Sequence, residues 1–273
     1  ADATRAEDIY AGYFAFGGRI VNTQGRSPFD LPPPSPEWAR VLNGFGWLRH
    51  LRAAETHLAR VNARALVDDF LAARGRSGPA VFDAATTARR ILSWLSQSTL
   101  VLDGAEADFY HRFLRALARD AAQLQDALNA TNGFDRLLSA IALASYAMCA
   151  ETAERYQTRA RTQLSEAIDA QILPDGGHIG RNPQVLVDLL LDFLPLRQAF
   201  IARGAAPPAA LLNAIDRIIP ALRLLRHGDG SLGLFNGMGV TAPDRLAIVL
   251  HYDDARGVAP VSAPYSGYQR LEA

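Results

Sequence analysis

Apolar residues recur at three- and four-residue steps along most of the chain, and this helical period is the strongest constraint on its fold. The first such stretch runs from Trp38 to Phe70, with a glycine break near Gly44 and Gly46. The pattern predicts about eight or nine helices and very little strand. With 273 residues, the chain is long enough to bury a sizeable core.

Capping and breaking residues predict where several helices begin and end. Asp83 or Thr86 is the expected N-cap of a helix that buries Ile91, Leu92 and Leu95. Pro220 is expected to kink the helix in which it lies. Further helices are predicted over 105–128, 183–204, 207–228 and 242–251.

Two segments depart from the helical pattern. YFAFGGRIVN, residues 13–22, alternates like a β-hairpin, and YSGYQRLEA at the end of the sequence reads as extended. Antiparallel helix pairs without a repeat consensus are compatible with a solenoid, an α/α barrel or a bundle. Periodicity alone does not choose among these three.

The charge content gives no sign of a nucleic-acid or membrane partner. The formal net charge is zero, so bulk charge suggests neither a nucleic acid nor a membrane surface. No apolar run approaches the ~18 residues of a membrane span. All 28 basic residues are arginine, which reflects either genome composition or a groove that grips carboxylates with guanidinium forks.

The segment QILPDGGHIGRNPQ, residues 171–184, joins two predicted helices. Its Pro-Asp-Gly-Gly run is a turn sequence, Asn182 is a good N-cap, and Pro183 suits the first helical position. A plain connector does not need His178 or Arg181. We assign both to substrate, with a filler role in the loop as the alternative for His178.

This loop and four other segments resemble the heparinase II/III family of polysaccharide lyases. The loop 171–183 is the most specific part of the resemblance. The other segments are FGWLRHL, ARRILSWL, HGDGSLGLFNGMG and APYSGYQRL. The resemblance covers nearly the whole chain.

The resemblance implies an all-α fold, an incomplete α/α toroid of about five or six helical hairpins. In full-length relatives a large antiparallel β-sandwich follows this domain. We therefore expect an extended N-terminal segment over 1–36, the toroid over 37–260, and a linker or first sandwich strand over 261–273. The chain is expected to be the toroid part of a longer protein, or a natural short form.

Family enzymes cleave uronate-containing polysaccharides by β-elimination, which needs a carboxylate neutraliser, a base and an acid. His178 matches the family's loop histidine, and Asn182 with Pro183 matches its Ser-Pro position. The family's tyrosine base falls on Val185, which cannot move a proton. Arg136 is a candidate neutraliser or, equally, a solvated or cap-linked arginine.

The predicted catalytic set is therefore His178, Arg181, Arg136 and Asn182. The predicted substrate-binding set is Trp47, Arg49, His50, Asn132, His227 and Asn236. Trp47 is alternatively a core residue, because most such tryptophans are buried. No metal-binding pattern is present, and no cofactor is implied.

Three functions are compatible with these residues. The first is the toroid domain of a lyase acting on heparin-like or alginate-like glycans, in which Arg49, Arg136, His178 and Arg181 converge on one cleft. The second is a non-catalytic module of the same fold that binds acidic glycans or serves assembly, and the third is a helical scaffold that binds proteins. The resemblance implies the periplasm, with the cytoplasm as the alternative, because the first residues carry no signal-peptide pattern.

Overall fold

The computed structural model describes residues 1–73, 82–241, 243–251 and 258–271. Within these ranges it contains twelve α-helices and two antiparallel sheets of two strands each. The predicted dominance of helix is confirmed. The chain divides into two compact units, Ala1–Tyr146 (unit 1) and Ala147–Ala273 (unit 2). The domain boundaries expected near 36 and 260 stay predictions.

Unit 1 begins with a short helix and the predicted hairpin. Its elements are α1 (Thr4–Tyr10), β1 (Tyr13–Phe16), β2 (Arg19–Asn22), α2 (Pro36–Gly44), α3 (Leu48–Ala53), α4 (His57–Ala73), α5 (Ala84–Ser96), α6 (Ser98–Leu102), α7 (Ala107–Ala127) and most of α8 (Gly133–Cys149). Tyr13 pairs with Asn22. Gly17 and Gly18, both at positive φ, form the two-residue turn that suits the twist of a hairpin.

A cluster of aromatic rings lies in the core of unit 1. Phe45 ends α2 in the left-handed conformation, at φ 58°, and this turns its ring inward. Its centroid lies 5.1 Å from that of Phe70, 5.3 Å from that of Trp47 and 5.4 Å from that of Trp94. The glycine break predicted between two helices is thus the point where an aromatic side chain enters the core.

A buried ion pair joins α5 to α7 inside unit 1. Arg90 Nε donates to Asp120 Oδ2 at 2.7 Å, and both side chains are fully buried. The guanidinium also donates to the Asn43 carbonyl oxygen at 3.1 Å and lies over the Phe70 ring. Asn43 belongs to α2, so one guanidinium connects three helices.

Unit 2 consists of longer helices followed by a small hairpin. Its elements are α9 (Glu154–Asp169), α10 (Pro183–Ala202), α11 (Ala209–Leu224), α12 (Pro243–His251), β3 (Ser262–Ala263) and β4 (Tyr268–Gln269). α11 packs against both α9 and α10, and α12 packs against α10. As predicted, Asn182 caps α10 and Pro183 occupies its first turn.

Two turns in unit 2 share one backbone geometry. The first turn is residues 172–178, after α9, and the second turn is residues 226–232, after α11. In each, the first and last residues form an isolated antiparallel bridge. Each contains an Asp-Gly pair whose glycine has positive φ, 83° at Gly176 and 89° at Gly230. Their sequences, ILPDGGH and RHGDGSL, share only that pair, which is too little to reveal a repeat.

Several arginines bind main-chain carbonyls at helix ends. The guanidinium of Arg64 donates to the carbonyl oxygens of Val101 and Asp103, at the end of α6. That of Arg270 donates to the carbonyl oxygens of Arg223 and Leu224, at the end of α11. The last carbonyls of a helix lack the intrahelical N–H donors that the earlier ones have, so part of the arginine content serves the fold.

Candidate functional site

Five residues from three segments of unit 2 meet at one place, which we call the Arg181 cluster: Arg181, Asn182, Phe235, Asn236 and Tyr268. The Tyr268 hydroxyl donates to the Arg181 carbonyl oxygen at 2.9 Å. Asn236 Nδ2 donates to the same oxygen at 2.8 Å and lies 3.2 Å from the Tyr268 hydroxyl. Asn182 Nδ2 donates to the Asn236 carbonyl oxygen at 3.3 Å. The cluster is therefore held by main-chain contacts and leaves the Arg181 side chain exposed.

The Arg181 cluster presents an aromatic surface beside a cation. The Phe235 ring is 40% exposed, and its centroid lies 4.9 Å from that of Tyr268 at an interplanar angle of 32°. The Arg181 guanidinium lies over Gly267, 3.8 Å from where a Cβ would be. Burial raises the pKa of Tyr268, against smaller opposing effects of the Arg181 charge and the Asn236 hydrogen bond. Tyr268 is thus a neutral phenol at neutral pH.

His178 is buried in the first turn, where it is 6% exposed. Its Nδ1 accepts a hydrogen bond from the Gly180 N–H at 3.0 Å. The proton of a neutral imidazole is then on Nε2, which lies 3.0 Å from Gln171 Oε1 and donates to it. Burial lowers the pKa of His178, which favours this neutral form. Both ring nitrogens therefore have partners within the loop.

Position 185, where the family pattern expects a tyrosine, holds a half-buried valine on the first turn of α10. Next to it, Asn182 Oδ1 accepts from the Gln184 N–H at 2.9 Å, which is the N-cap bond of this helix. The Gln184 side chain donates to Asp188 and accepts from Thr241. The side chains in this part of the loop therefore cap α10 and bond to Thr241, just before α12.

In unit 1, the two candidates around the start of α8 lie on either side of Gly133. Asn132 is exposed just before the helix. Arg136 Nη1 donates to the Leu128 carbonyl oxygen at 2.8 Å, which ties the guanidinium to the chain segment that precedes α8. The catalytic role predicted for Arg136 and the substrate-binding role predicted for Asn132 stay predictions.

The other unit 1 candidates differ in accessibility. Trp47 is 2% exposed, and its indole N–H donates to the Leu42 carbonyl oxygen at 2.9 Å, so it belongs to the aromatic core. His50 is buried, and its Nδ1 accepts from the Asp2 N–H at 3.1 Å. Arg49, between them, is exposed. Of these three, Arg49 has the accessibility that a glycan contact requires.

The predicted residues fall into both units. His178, Arg181, Asn182, His227 and Asn236 lie in unit 2, and three of them belong to the Arg181 cluster. His227 is exposed on the second turn. The convergence expected of Arg49 and Arg136 with the unit 2 residues stays a prediction.

Sequence reasoning missed Phe235 and Tyr268. The segment GLFNG could have indicated that Phe235 is exposed, because an aromatic residue in a glycine-rich turn has few neighbours to bury it. Nothing local to YSGYQ indicates that Tyr268 bonds to Arg181, since that contact joins distant parts of the chain.

The enclosed space beside the Arg181 cluster is small. Its lining includes His178, Pro183, Leu224 and Tyr268, and it has room for about one water molecule. A sugar ring would therefore have to bind on the exposed face of the cluster. Among the described residues, no three His, Cys, Asp or Glu side chains lie close enough to hold a metal ion. The described helices include none long and apolar enough to cross a membrane.

The fold is that of the helical domain of heparinases. A heparinase III, the BT4657 gene product, superposes with a TM-score of 0.65 at 15% identity, over 88% of this chain and 42% of that one. The heparan sulfate lyase HepC from Pedobacter heparinus gives a TM-score of 0.62 at 17% identity, over 88% of this chain and 40% of that one. The resemblance and the predicted α/α toroid fold class are confirmed.

A protein related to this chain in sequence has a name that does not mention heparinase. FtsZ-localized protein C from Caulobacter vibrioides is 31% identical over 272 residues, which are 99% of this chain and 47% of that protein. The chain thus spans about half the length of this relative. No protein-family model matches the chain.

Proposed function

We propose that unit 2 binds an acidic, uronate-containing glycan at the Arg181 cluster. One observation carries the proposal: an exposed guanidinium, an asparagine amide and an exposed aromatic ring meet at one place. A guanidinium forks onto carboxylates. The Phe235 face offers an apolar surface for a sugar ring, and Asn236 is a hydrogen-bonding neighbour for its hydroxyls.

The surroundings of the candidate bases favour binding without elimination. A β-elimination needs a base within hydrogen-bonding reach of the proton it removes. Both nitrogens of His178 have partners inside the loop, and Val185 has no ionisable group. The Tyr268 hydroxyl already donates to a carbonyl, and its pKa is raised. These features support the non-catalytic module over the lyase.

Removing the Arg181 side chain is expected to weaken glycan binding. For Arg181→Ala we expect about tenfold lower affinity for heparan sulfate hexasaccharides, the equivalent of ~1.4 kcal/mol, because a charge-assisted fork is lost. The affinity of Arg181→Lys should lie between those of Arg181→Ala and the unchanged chain, since lysine keeps the charge without the fork. Calorimetric titration measures these affinities. Arg159→Ala, which removes an exposed arginine of α9, should bind like the unchanged chain.

The same samples distinguish binding from cleavage. An elimination leaves an unsaturated uronate, which absorbs in the ultraviolet. Binding without a rise in absorbance on heparan sulfate or alginate would support the non-catalytic module, whereas a rise would establish the lyase. If the unchanged chain binds neither polymer, or if Arg159→Ala weakens binding as much as Arg181→Ala, the proposal is wrong.

A second candidate function follows from the relative in Caulobacter vibrioides, whose name describes localisation with FtsZ. Its 31% identity extends along 99% of this chain, well above the 15% and 17% of the heparinase structures. We expect a fluorescent fusion of this protein, imaged in its own cells, to coincide with labelled FtsZ, with the free fluorescent protein as the control. A signal spread evenly through the cell would contradict this candidate.

A further inference from the structure

The two Asp-Gly turns obtain a hydroxyl partner for their aspartate in different ways. In the second turn, the N–H and the hydroxyl of Ser231 both donate to Asp229 Oδ1, at 2.8 and 2.7 Å. In the first turn, the equivalent residue is Gly177, whose N–H donates to Asp175 Oδ1 at 3.1 Å. Glycine supplies no hydroxyl, so the second contact of this oxygen comes from elsewhere.

The missing hydroxyl comes from the hairpin β3–β4. Ser266 Oγ donates to Asp175 Oδ1 at 2.8 Å, and the Ser266 N–H donates to Oδ2 at 2.7 Å. A Cβ on Gly177 would lie 1.8 Å from Ser266 Oγ, so the absent side chain is what admits the serine. Gly177 does not have positive φ, and its backbone therefore does not require glycine. The requirement is space for Ser266, which is 3% exposed.

Ser266 lies in the turn that precedes Tyr268. Gly267, between them, donates to the Ala263 carbonyl oxygen at 2.8 Å and lies under the Arg181 guanidinium. Where Ser266 docks therefore determines where the Tyr268 phenol lies, and that phenol bonds to the Arg181 carbonyl oxygen. Asp175 is thus connected to the Arg181 cluster through a turn of only a few residues.

We infer that Asp175 and Ser266 are positioning residues for the Arg181 cluster: they latch the hairpin β3–β4 onto the first turn and so hold Tyr268 in the binding surface. This inference rests on the proposed glycan binding. In the second turn, Ser231 supplies both the N–H and the hydroxyl that bind the aspartate. In the first turn, Gly177 supplies the N–H, and Ser266 of the hairpin supplies the hydroxyl. A serine at position 177 would satisfy Asp175 locally, as in the second turn, and would leave no room for Ser266.

Three variants test the latch. Ser266→Ala removes the hydroxyl, and Gly177→Ser combined with Ser266→Gly moves it from the hairpin into the first turn. In both we expect the Gly267 and Arg270 amides, which bond within the hairpin, to exchange hydrogen about tenfold faster. Ser231→Ala, the matched control, removes the hydroxyl of the second turn and should leave these amides unchanged.

Two further measurements show whether the Arg181 cluster changes when the hairpin is released. With the hairpin released, the affinity for heparan sulfate hexasaccharides should fall about fivefold, because Tyr268 no longer orders the surface. The NMR resonance of the Asn236 side-chain amide, which bonds to the Arg181 carbonyl oxygen, should shift even without a ligand. The double variant keeps a hydroxyl beside Asp175, so a general loss of stability does not explain these changes.

The outcomes separate this inference from the proposed function. Unchanged hairpin exchange in both hairpin variants would overturn the latch. Faster exchange with an unshifted Asn236 resonance would overturn the positioning role. If the unchanged chain does not bind the glycan, the proposed function fails, and the exchange rates and the Asn236 resonance still decide whether Asp175 and Ser266 hold the cluster together.

Discussion

Replacing Asp120 by alanine is expected to lower the free energy of unfolding of unit 1 by about 3–5 kcal/mol. The substitution leaves the Arg90 guanidinium fully buried without its carboxylate. The bonds of the guanidinium to the Asn43 carbonyl oxygen and to the Thr87 hydroxyl do not neutralise a charge. The free energy needed to take an unpaired ion out of water exceeds the stabilisation that a few contacts with neutral groups provide.

Tryptophan fluorescence during urea unfolding measures this effect. Trp38, Trp47 and Trp94 are all buried in unit 1, so the signal reports that unit. Asp108→Ala is the control, because it removes the exposed carboxylate that pairs with Arg112, and an exposed pair contributes about 0–1 kcal/mol. Joint replacement of Arg90 by Met and Asp120 by Leu should recover most of the loss. Similar losses for Asp120→Ala and Asp108→Ala would contradict the interpretation of a buried pair.

Unit 1 is expected to lose stability as the pH falls from about 6.5 to about 4, because of His50. Burial, together with the smaller effects of the positive charges of Arg49 and Arg5, lowers the pKa of this imidazole from 6.5 to about 4. In this window the unfolded chain binds a proton at His50 and the folded chain does not. The folded state is therefore favoured above the window, and the stability lost across it is at most about 3 kcal/mol.

The His50→Asn variant isolates this contribution. Asparagine keeps an acceptor for the Asp2 N–H, which bonds to Nδ1 in the unchanged chain, but it does not titrate. Urea unfolding followed by tryptophan fluorescence across this pH range should give a shallower pH dependence for the variant. Subtracting the pH dependence of the variant from that of the unchanged chain cancels the contribution of the carboxylates, which both proteins share. Identical pH dependence would show that His50 is not held neutral by the fold.

Sequence reasoning succeeded where neighbours along the chain determine the structure. The alternation of apolar residues in YFAFGGRIVN was enough to predict the hairpin, and Asp83 caps α5 as expected. The break at Gly44 was also correct, although the chain turns at Phe45. Periodicity and capping act over a few residues, and such signals survive without a three-dimensional context.

The candidate site was harder to predict because its contacts are distant along the chain. Arg181 and Asn236 were chosen for their chemistry, but their meeting depends on how α10 and α11 pack. His178 stood out as surplus to a connector, yet its partners Gln171 and Gly180 lie within the same loop. A histidine with both nitrogens bonded nearby has the same sequence signature as one that faces a substrate.

The arginines at helix ends limit how this sequence can change. The guanidinium of Arg64 reaches carbonyls of three residues, Val101, Asp103 and Gly104, through three different nitrogens, a geometry that a single ammonium group does not reproduce. Exchange for lysine would keep the charge and still leave the end of α6 short of donors. At such positions, the shape of the side chain, and not only its charge, favours arginine over lysine.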